Sequence, residues 1–361
     1  MAVWRCAAAA LALSRDGEGA RSALERAVEA APRDPVSRIG LLRVVLAASE
    51  WSTAVKLLED MIPKLAVRAL RQRYSRERAC LLDVHLQRSA EAEDAFEQIL
   101  AEDPLDADTL VALGELYERR QKPMLAIAAR RRACDLLPPA ARVSQLVIVA
   151  ELCRNHSELE DGLSALEEAQ RLDPENSDVH RMLADLYEQL GKPEYAVVAL
   201  RMELARNPEP PRRMVAQLRL AGLLARLGTE PESVVALYLD VLSMDPSSSE
   251  ALAGIQAPAR ALGWWDALTR AFRAAPPTAD NLVVLADALE KMSSFAELAR
   301  VRRAQLEAAT LPAERARRAS ELAVLHETRL GDPDAAIAAL RQAVGVAPEL
   351  ERVHQRGVVA A

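Results

Sequence analysis

The sequence predicts an all-α chain of about ten helix–turn–helix units stacked into an α-solenoid, with one continuous core in place of several globular domains. Three observations carry that expectation. Prolines recur at a fixed interval: Pro104 to Pro138 is 34 residues, and Pro174 to Pro208 is 34 again. Between them, apolar residues fall twice at helical spacing, separated by a turn signal. The composition is 50% hydrophobic but only 3% aromatic. It is rich in Ala, Leu, Arg and Glu, which suits long helices packed through small-residue seams and suits a β fold poorly.

The segment Ser177–Pro210 shows the plan of one unit. Met182, Leu183, Leu186, Tyr187 and Leu190 form one apolar stripe at helical spacing. Gly191 ends that helix, where a positive φ costs little without a Cβ. Pro193 suits the first turn of the next helix. Ala196, Val197, Leu200 and Leu204 form the second stripe, with Ala196 small where two helix axes approach. Pro208 cannot continue the helix and sets up the next turn.

These residues resemble the tetratricopeptide repeat, a 34-residue helix–turn–helix unit, in a tandem array of the bacterial type. Ala107–Ala140 matches the pattern best, with Leu110, Leu113, Gly114, Tyr117, Ala126, Ala133 and Pro138 at the family's offsets. In Ser177–Pro210 the expected Gly is Ala184 and a later Ala is Glu203. The resemblance implies a right-handed superhelix whose first helices line a concave groove.

In order, the units read Met1–Asp34, Pro35–Arg68, Arg73–Asp106, Ala107–Ala140, Val143–Asn176, Ser177–Pro210 and Val215–Ser248. Four residues are gained in the basic stretch Arg68 to Arg78, and four more at the Pro-rich joint Pro208–Pro211. Asp16-Gly17-Glu18-Gly19 reads as an interhelix turn. Gly162 stands where Ala is expected. The register then weakens: Ser249 to about Pro277 is short, its second helix cut by Pro276-Pro277, and Ala279 to about Pro312 lacks the Gly and the turn prolines. Arg317–Leu350 restores the pattern. The expected organisation is therefore regular repeats over 1–248, degenerate repeats over 249–316, and a last repeat with an unfinished helix over 317–361. Neither end carries an evident polar cap, which leaves room for a partner, a longer array or end-to-end self-association.

Composition and motifs exclude much. A net charge of −7 disfavours nucleic acid. No apolar run reaches 18 residues, so no membrane span is expected. The apolar start after Arg5 is faintly like an export signal, but Trp4, Ala20, Ala27 and Pro32 fall in the repeat frame, and the expected compartment is cytoplasmic. Cys6, Cys80, Cys134 and Cys153 form no C-x-x-C pair and read as small buried hydrophobes. His85, His156, His180, His326 and His354 make no metal-ligand spacing, with His180 at a packing offset. Phosphate-binding glycine loops and nucleophile elbows are absent. No catalytic residue, cofactor or metal is expected.

Trp51, Trp265 and Phe295 share one offset past the turn, which reads as packing of second helix on first, whereas Trp264 reads as exposed. Through the resemblance, the inward offsets of the central first helices hold Asp108, Glu115, Glu118 and Arg119, then Glu151, Arg154 and Asn155, then Asp178, Arg181, Asp185 and Glu188. The acidic surplus there implies a groove for a basic or mixed-charge peptide. Chaperone-binding members of the family hold a terminal carboxylate with Lys and Asn. The matching offsets here carry Arg5 and Ala9, Ile39 and Arg43, Arg181 and Asp185, and Arg219 and Leu223, so that capture is not expected. The function implied is a non-catalytic scaffold binding a peptide or protein segment in the groove. The alternative is an accessory, targeting or regulatory subunit of a larger assembly, engaged through the repeat ends.

Overall fold

The computed structural model describes residues 17–31 and 34–344. Trp4, Cys6, Asp16, Pro32, Pro348, His354 and the unfinished last helix lie outside the described residues. Among those described the chain is helical throughout, with no strand. It divides into two units, one running to Leu186 and the other from Tyr187. The first contains α1 (Gly17–Ala30), α2 (Pro35–Ala47), α3 (Trp51–Met61), α4 (Arg68–Val84), α5 (Ser89–Glu102), α6 (Ala107–Arg119), α7 (Pro123–Cys134), α8 (Pro139–Asn155), α9 (Leu159–Leu172) and most of α10 (Ser177–Gln189). The second contains α11 (Pro193–Ala205), α12 (Pro210–Leu227), α13 (Pro231–Met244), α14 (Ser249–Gly254), α15 (Gln256–Leu262), α16 (Trp265–Ala274), α17 (Ala279–Lys291), α18 (Phe295–Ala308), α19 (Pro312–Leu325) and α20 (Pro333–Val344). Within each unit helices pack mainly on their neighbours in sequence, as hairpins stacked in an α-solenoid do.

Two kinds of first helix occur, and their starts explain the difference. Helices α2, α6, α14 and α17 are capped by the side chains of Asp34, Asp106, Ser248 and Thr278. At α10 the Asn176 side chain accepts from Val179 N at 3.2 Å. Each cap satisfies an orphan backbone N–H and fixes where the helix begins. The starts of α4, α8, α12 and α19 have no side-chain cap, and these helices begin about one turn earlier. So the residues expected as insertions, Arg68 onward and Pro208–Pro211, are in large part helix. Pro210 and Pro211 fit its first turn because the N–H they lack has no partner there in any helix. Gly17 to Gly19 likewise open α1 and do not form a turn.

The added turns carry contacts. Gln72 Nε2 on α4 donates to Asp103 Oδ2 at 3.0 Å. Arg142 on α8 pairs with Glu168. Arg212 on α12 donates through Nε to Glu203 Oε1 at 2.7 Å. Glu203, the departure from the expected Ala, is buried. Arg212 supplies the countercharge without which a buried carboxylate is strongly destabilising.

Among the described residues every first helix closes on a left-handed residue. From Ala107 to Gln121 is 14 residues, and the same interval separates Pro35 from Ser49, Ser177 from Gly191, Ser249 from Gly263 and Ala279 from Ser293. The interval from the uncapped starts is longer by four residues at Ser157 and Gly228, and by five at Gln87 and Gly331. Four residues are close to one turn of 3.6, but five leave one over. Both five-residue cases absorb it at the C-terminal end. The N–H after the left-handed residue usually reaches back five residues, as from Lys122 to Tyr117 O at 2.8 Å. From Arg88 it reaches six, to Leu82 O at 2.8 Å, and from Asp332 six, to His326 O at 3.0 Å. At the second of these, His326–Leu330 widens into a π turn.

The core is built as the small-residue pattern requires. Ala54, Ala92 and Ala126, on successive second helices, and Ala196, on the second helix after α9, are fully buried. At Gly162 an added Cβ would stand 3.1 Å from Cys153 Cβ and 3.4 Å from Ala150 O, so α8 and α9 approach too closely there for Ala to fit without a shift. Around these seams lie Leu42, Leu58, Leu82, Phe96, Leu110 and Leu146, all buried. Cys134 and Cys153 are buried and Cys80 partly so. Burial pushes the Cys134 thiol up to about 11, too weakly acidic for a thiolate nucleophile at neutral pH. His180 is buried, with Nε2 2.9 Å from Pro174 O. Trp51 is half-buried and stacks on His85 with ring centroids 3.8 Å apart, and Arg329 lies over Phe295 at 5.3 Å. These two rings therefore also reach forward to the next unit's first helix. Trp264 is exposed.

Candidate partner-binding face

In the first unit, α4 and α6 are successive first helices and lie side by side. Charged side chains cross between them. Arg76 Nη1 on α4 lies 2.7 and 2.6 Å from the two carboxylate oxygens of Asp106, and its Nη2 lies 2.8 Å from Asp108 Oδ2. At the other end Asp83, buried on α4, accepts from Ser89 Oγ at 2.6 Å and from Arg119 Nε at 2.7 Å. Arg119 Nη1 is also 4.0 Å from the exposed Glu115. Cys80 sits within this array; burial, then the nearby Glu115, raises its thiol pKa.

Of the remaining expected groove residues, Glu118 is half-buried and pairs with Arg130, a buried arginine on α7 that also reaches Gln145 on α8. The stem of Arg130 passes over Gly114, where a Cβ would come within 2.7 Å of its Cγ. Glu151 and Asn155 on α8 are exposed. Arg154 Nη1 is 3.6 Å and Arg181 Nη1 3.7 Å from Asp185 Oδ2, and Arg181 Nε is 4.0 Å from the exposed Asp178. Glu188, in the second unit, accepts from Arg219 Nη2 at 2.6 Å and Nε at 3.1 Å.

The structure thus brings Asp108, Glu115 and Arg119 together with Arg76 and Asp83, and Arg154 with Arg181 and Asp185. Glu118 belongs to an internal support. The acidic surplus read from the offsets is offset by arginines, several from the neighbouring first helix, so the array is mixed in charge. Arg76 and Asp83 went unread in the sequence, although Arg76 lies in the basic stretch that signalled an unusual segment.

The second unit has a cleft of about 680 Å³ among α17, α18 and α19, lined by Phe295, Leu298, Arg302, Glu321, Val324 and Arg329 among others. Glu321, Thr328 and Arg329 occupy, in the last repeat, the offsets of the central candidates. Among the described residues no cluster of His, Cys, Asp and Glu is arranged to hold a metal ion, and no helix is long and apolar enough to cross a membrane.

Comparison with known proteins accords with this architecture. Residues 82–141 and 154–209 match one model of the tetratricopeptide repeat, and residues 321–350 match another. No curated protein matches in sequence. Among solved structures, the C-terminal part of a TPR repeat-containing protein from Cytophaga hutchinsonii is 14% identical with a TM-score of 0.51, covering 70% of this chain and 99% of its own. YrrB, described as a TPR protein with an unusual peptide-binding site, is 17% identical with a TM-score of 0.39, covering 50% of this chain and 93% of its own. A chain of the Naa15/Naa10 complex bound to HypK-THB is 16% identical with a TM-score of 0.45, covering 94% of this chain and 52% of its own. The family-model matches fall on the hairpins described above, and residues 82–141, 154–209 and 321–350 are tetratricopeptide repeats.

Proposed function

We propose that the chain is a non-catalytic scaffold that binds a protein segment through the charged faces of its first helices, with the α4–α6 face as the principal contact. Tetratricopeptide repeats generally mediate protein–protein interaction. The observation that carries the reading to this face is its charge arrangement. Asp108 and Glu115 are exposed, whereas the residues that order them, Arg76 and Asp83, lie deeper. A partner with basic and acidic side chains at matching intervals would exchange pairs with this array and not bury bare charge, which gives specificity at modest desolvation cost.

The test is a crosslinking pull-down from native lysate with the intact chain and with Asp108→Lys combined with Glu115→Lys. Both positions are exposed, so helical circular dichroism should stay native and the loss of the Arg76 and Arg119 pairs should lower stability by no more than about 1 kcal/mol per pair. Partner recovery is expected to fall about tenfold or more, as for reversed rim charges. Undiminished recovery with crosslinks elsewhere would refute this face.

A further inference from the structure

We propose that the cleft among α17, α18 and α19 binds an acidic peptide segment, through the arginines and apolar side chains that line it. This rests on reading the chain as a protein-binding module, but on residues separate from the α4–α6 face. The central observation is an over-committed carboxylate. Arg302 Nη1 lies 3.2 Å, Arg318 Nη1 3.4 Å and Arg317 Nη1 3.7 Å from Glu321. One negative charge faces three guanidinium groups. Glu290 and Glu314 lie 3.7 and 3.8 Å from Arg302 and Arg318, the two less exposed of the three. Arg317 is 61% exposed. Arg329, also exposed, is held over Phe295, which orients a further guanidinium at the mouth of the cleft.

The surroundings agree. Between Glu290 and Leu330 eight Lys and Arg stand against six Glu, in a chain whose net charge is −7. The basic excess is therefore local and works against the overall balance. The cleft volume, about 680 Å³, falls within the range of roughly 300–1,000 Å³ typical of ligand sites. Phe295, Leu298 and the exposed Val324 line the cleft and suit an apolar side chain next to the acidic one. Glu290 and Glu321 in the same wall would repel a continuous row of phosphates, which favours a peptide with spaced carboxylates over nucleic acid. Guanidinium groups bind side-chain carboxylates through paired hydrogen bonds, so a free chain terminus is not required.

The experiment uses the intact chain and fluorescence anisotropy. The probe is a labelled Glu-rich peptide with a central Leu, blocked at both ends so that it offers side-chain carboxylates alone. Controls are its Lys-for-Glu counterpart and a single-stranded oligonucleotide. The expected result is saturable binding of the Glu peptide, weakened by added salt, and reduced about tenfold or more by Arg317→Glu with Arg329→Glu. Helical circular dichroism should stay native and any fall in Tm be small, since both arginines are exposed and such surface contacts contribute about 1 kcal/mol or less each. Equal binding of the Lys peptide, native affinity in the arginine variant, or displacement by the oligonucleotide would overturn the proposal. If the Glu peptide fails to bind while the α4–α6 variant still loses its lysate partner, the cleft is excluded and the scaffold reading stands.

Discussion

Glu77 sits half-buried on α4, and burial raises its carboxyl pKa while the Arg73 charge opposes the rise. A carboxyl raised in the folded state favours folding at low pH, and that contribution is lost as the pH climbs through the folded value. At neutral pH the native chain therefore holds a partly desolvated charge that glutamine would not bring. Glu77→Gln is expected to raise Tm at pH 7, with the difference shrinking toward zero below the ordinary carboxylate range. Thermal melts across that window check it, and a gain that grows in acid would contradict the assignment. Glu118 and Glu203, by contrast, each have an arginine aimed at them. Arg130 and Arg212 hold these carboxylates in place. Neither partner follows from the repeat spacing, because each comes from a different helix.

At the scale of the helix and its turn, the left-handed residue is the fixed point of each hairpin. Gly191 occupies it with φ of 67°, and an added Cβ there would meet nothing within 4 Å. Gly191→Ala should therefore show the backbone cost alone, about 1 kcal/mol. Gln121, at the same point with φ of 56°, already bears that cost. Gln121→Gly should come out within about 0.5 kcal/mol of native, because relief of strain is countered by glycine's extra freedom when unfolded. Denaturant titration of the two variants separates these outcomes. The hairpins and their small-residue seams are legible in the sequence, because period and residue size are local signals. The early starts of α4, α8, α12 and α19 are not. Those starts lack a capping side chain, and at Arg68 onward and Pro208–Pro211 nothing local separates a spacer from a leading turn. For the candidate face, Asp108, Glu115 and Arg119 were reachable by offset. Their ordering partners Arg76 and Asp83 depend on the register of α4, which the added turn had obscured.

Over the chain as a whole, packing between sequence neighbours makes stability approximately a sum of local terms. Leu82 is fully buried in the first unit, and Leu82→Ala should cost about 2–5 kcal/mol there. In a background with Trp4, Trp264 and Trp265 changed to Phe, the Trp51 signal should show that loss as a lower denaturation midpoint. With Trp265 kept as the sole reporter, the midpoint should move less. Equal displacement of both signals would mean that the array melts as one cooperative body. The binding readings belong to this scale too. A mixed-charge face in one unit and an arginine-rimmed cleft in the other give the chain two surfaces of different chemistry.

The uncapped helix starts also bear on how such a gene can change. Adding or removing four codons at α4, α8 or α12 alters helix phase by only about 40° beyond a full revolution, so every downstream side chain keeps its neighbours. A change of two codons would rotate the helix by about 200° and turn its apolar stripe outward. Where Asp34, Asp106 or Thr278 pins the start, even the four-codon change would remove a cap. Length variation among related genes should therefore gather at the uncapped entrances, in steps of one helical turn.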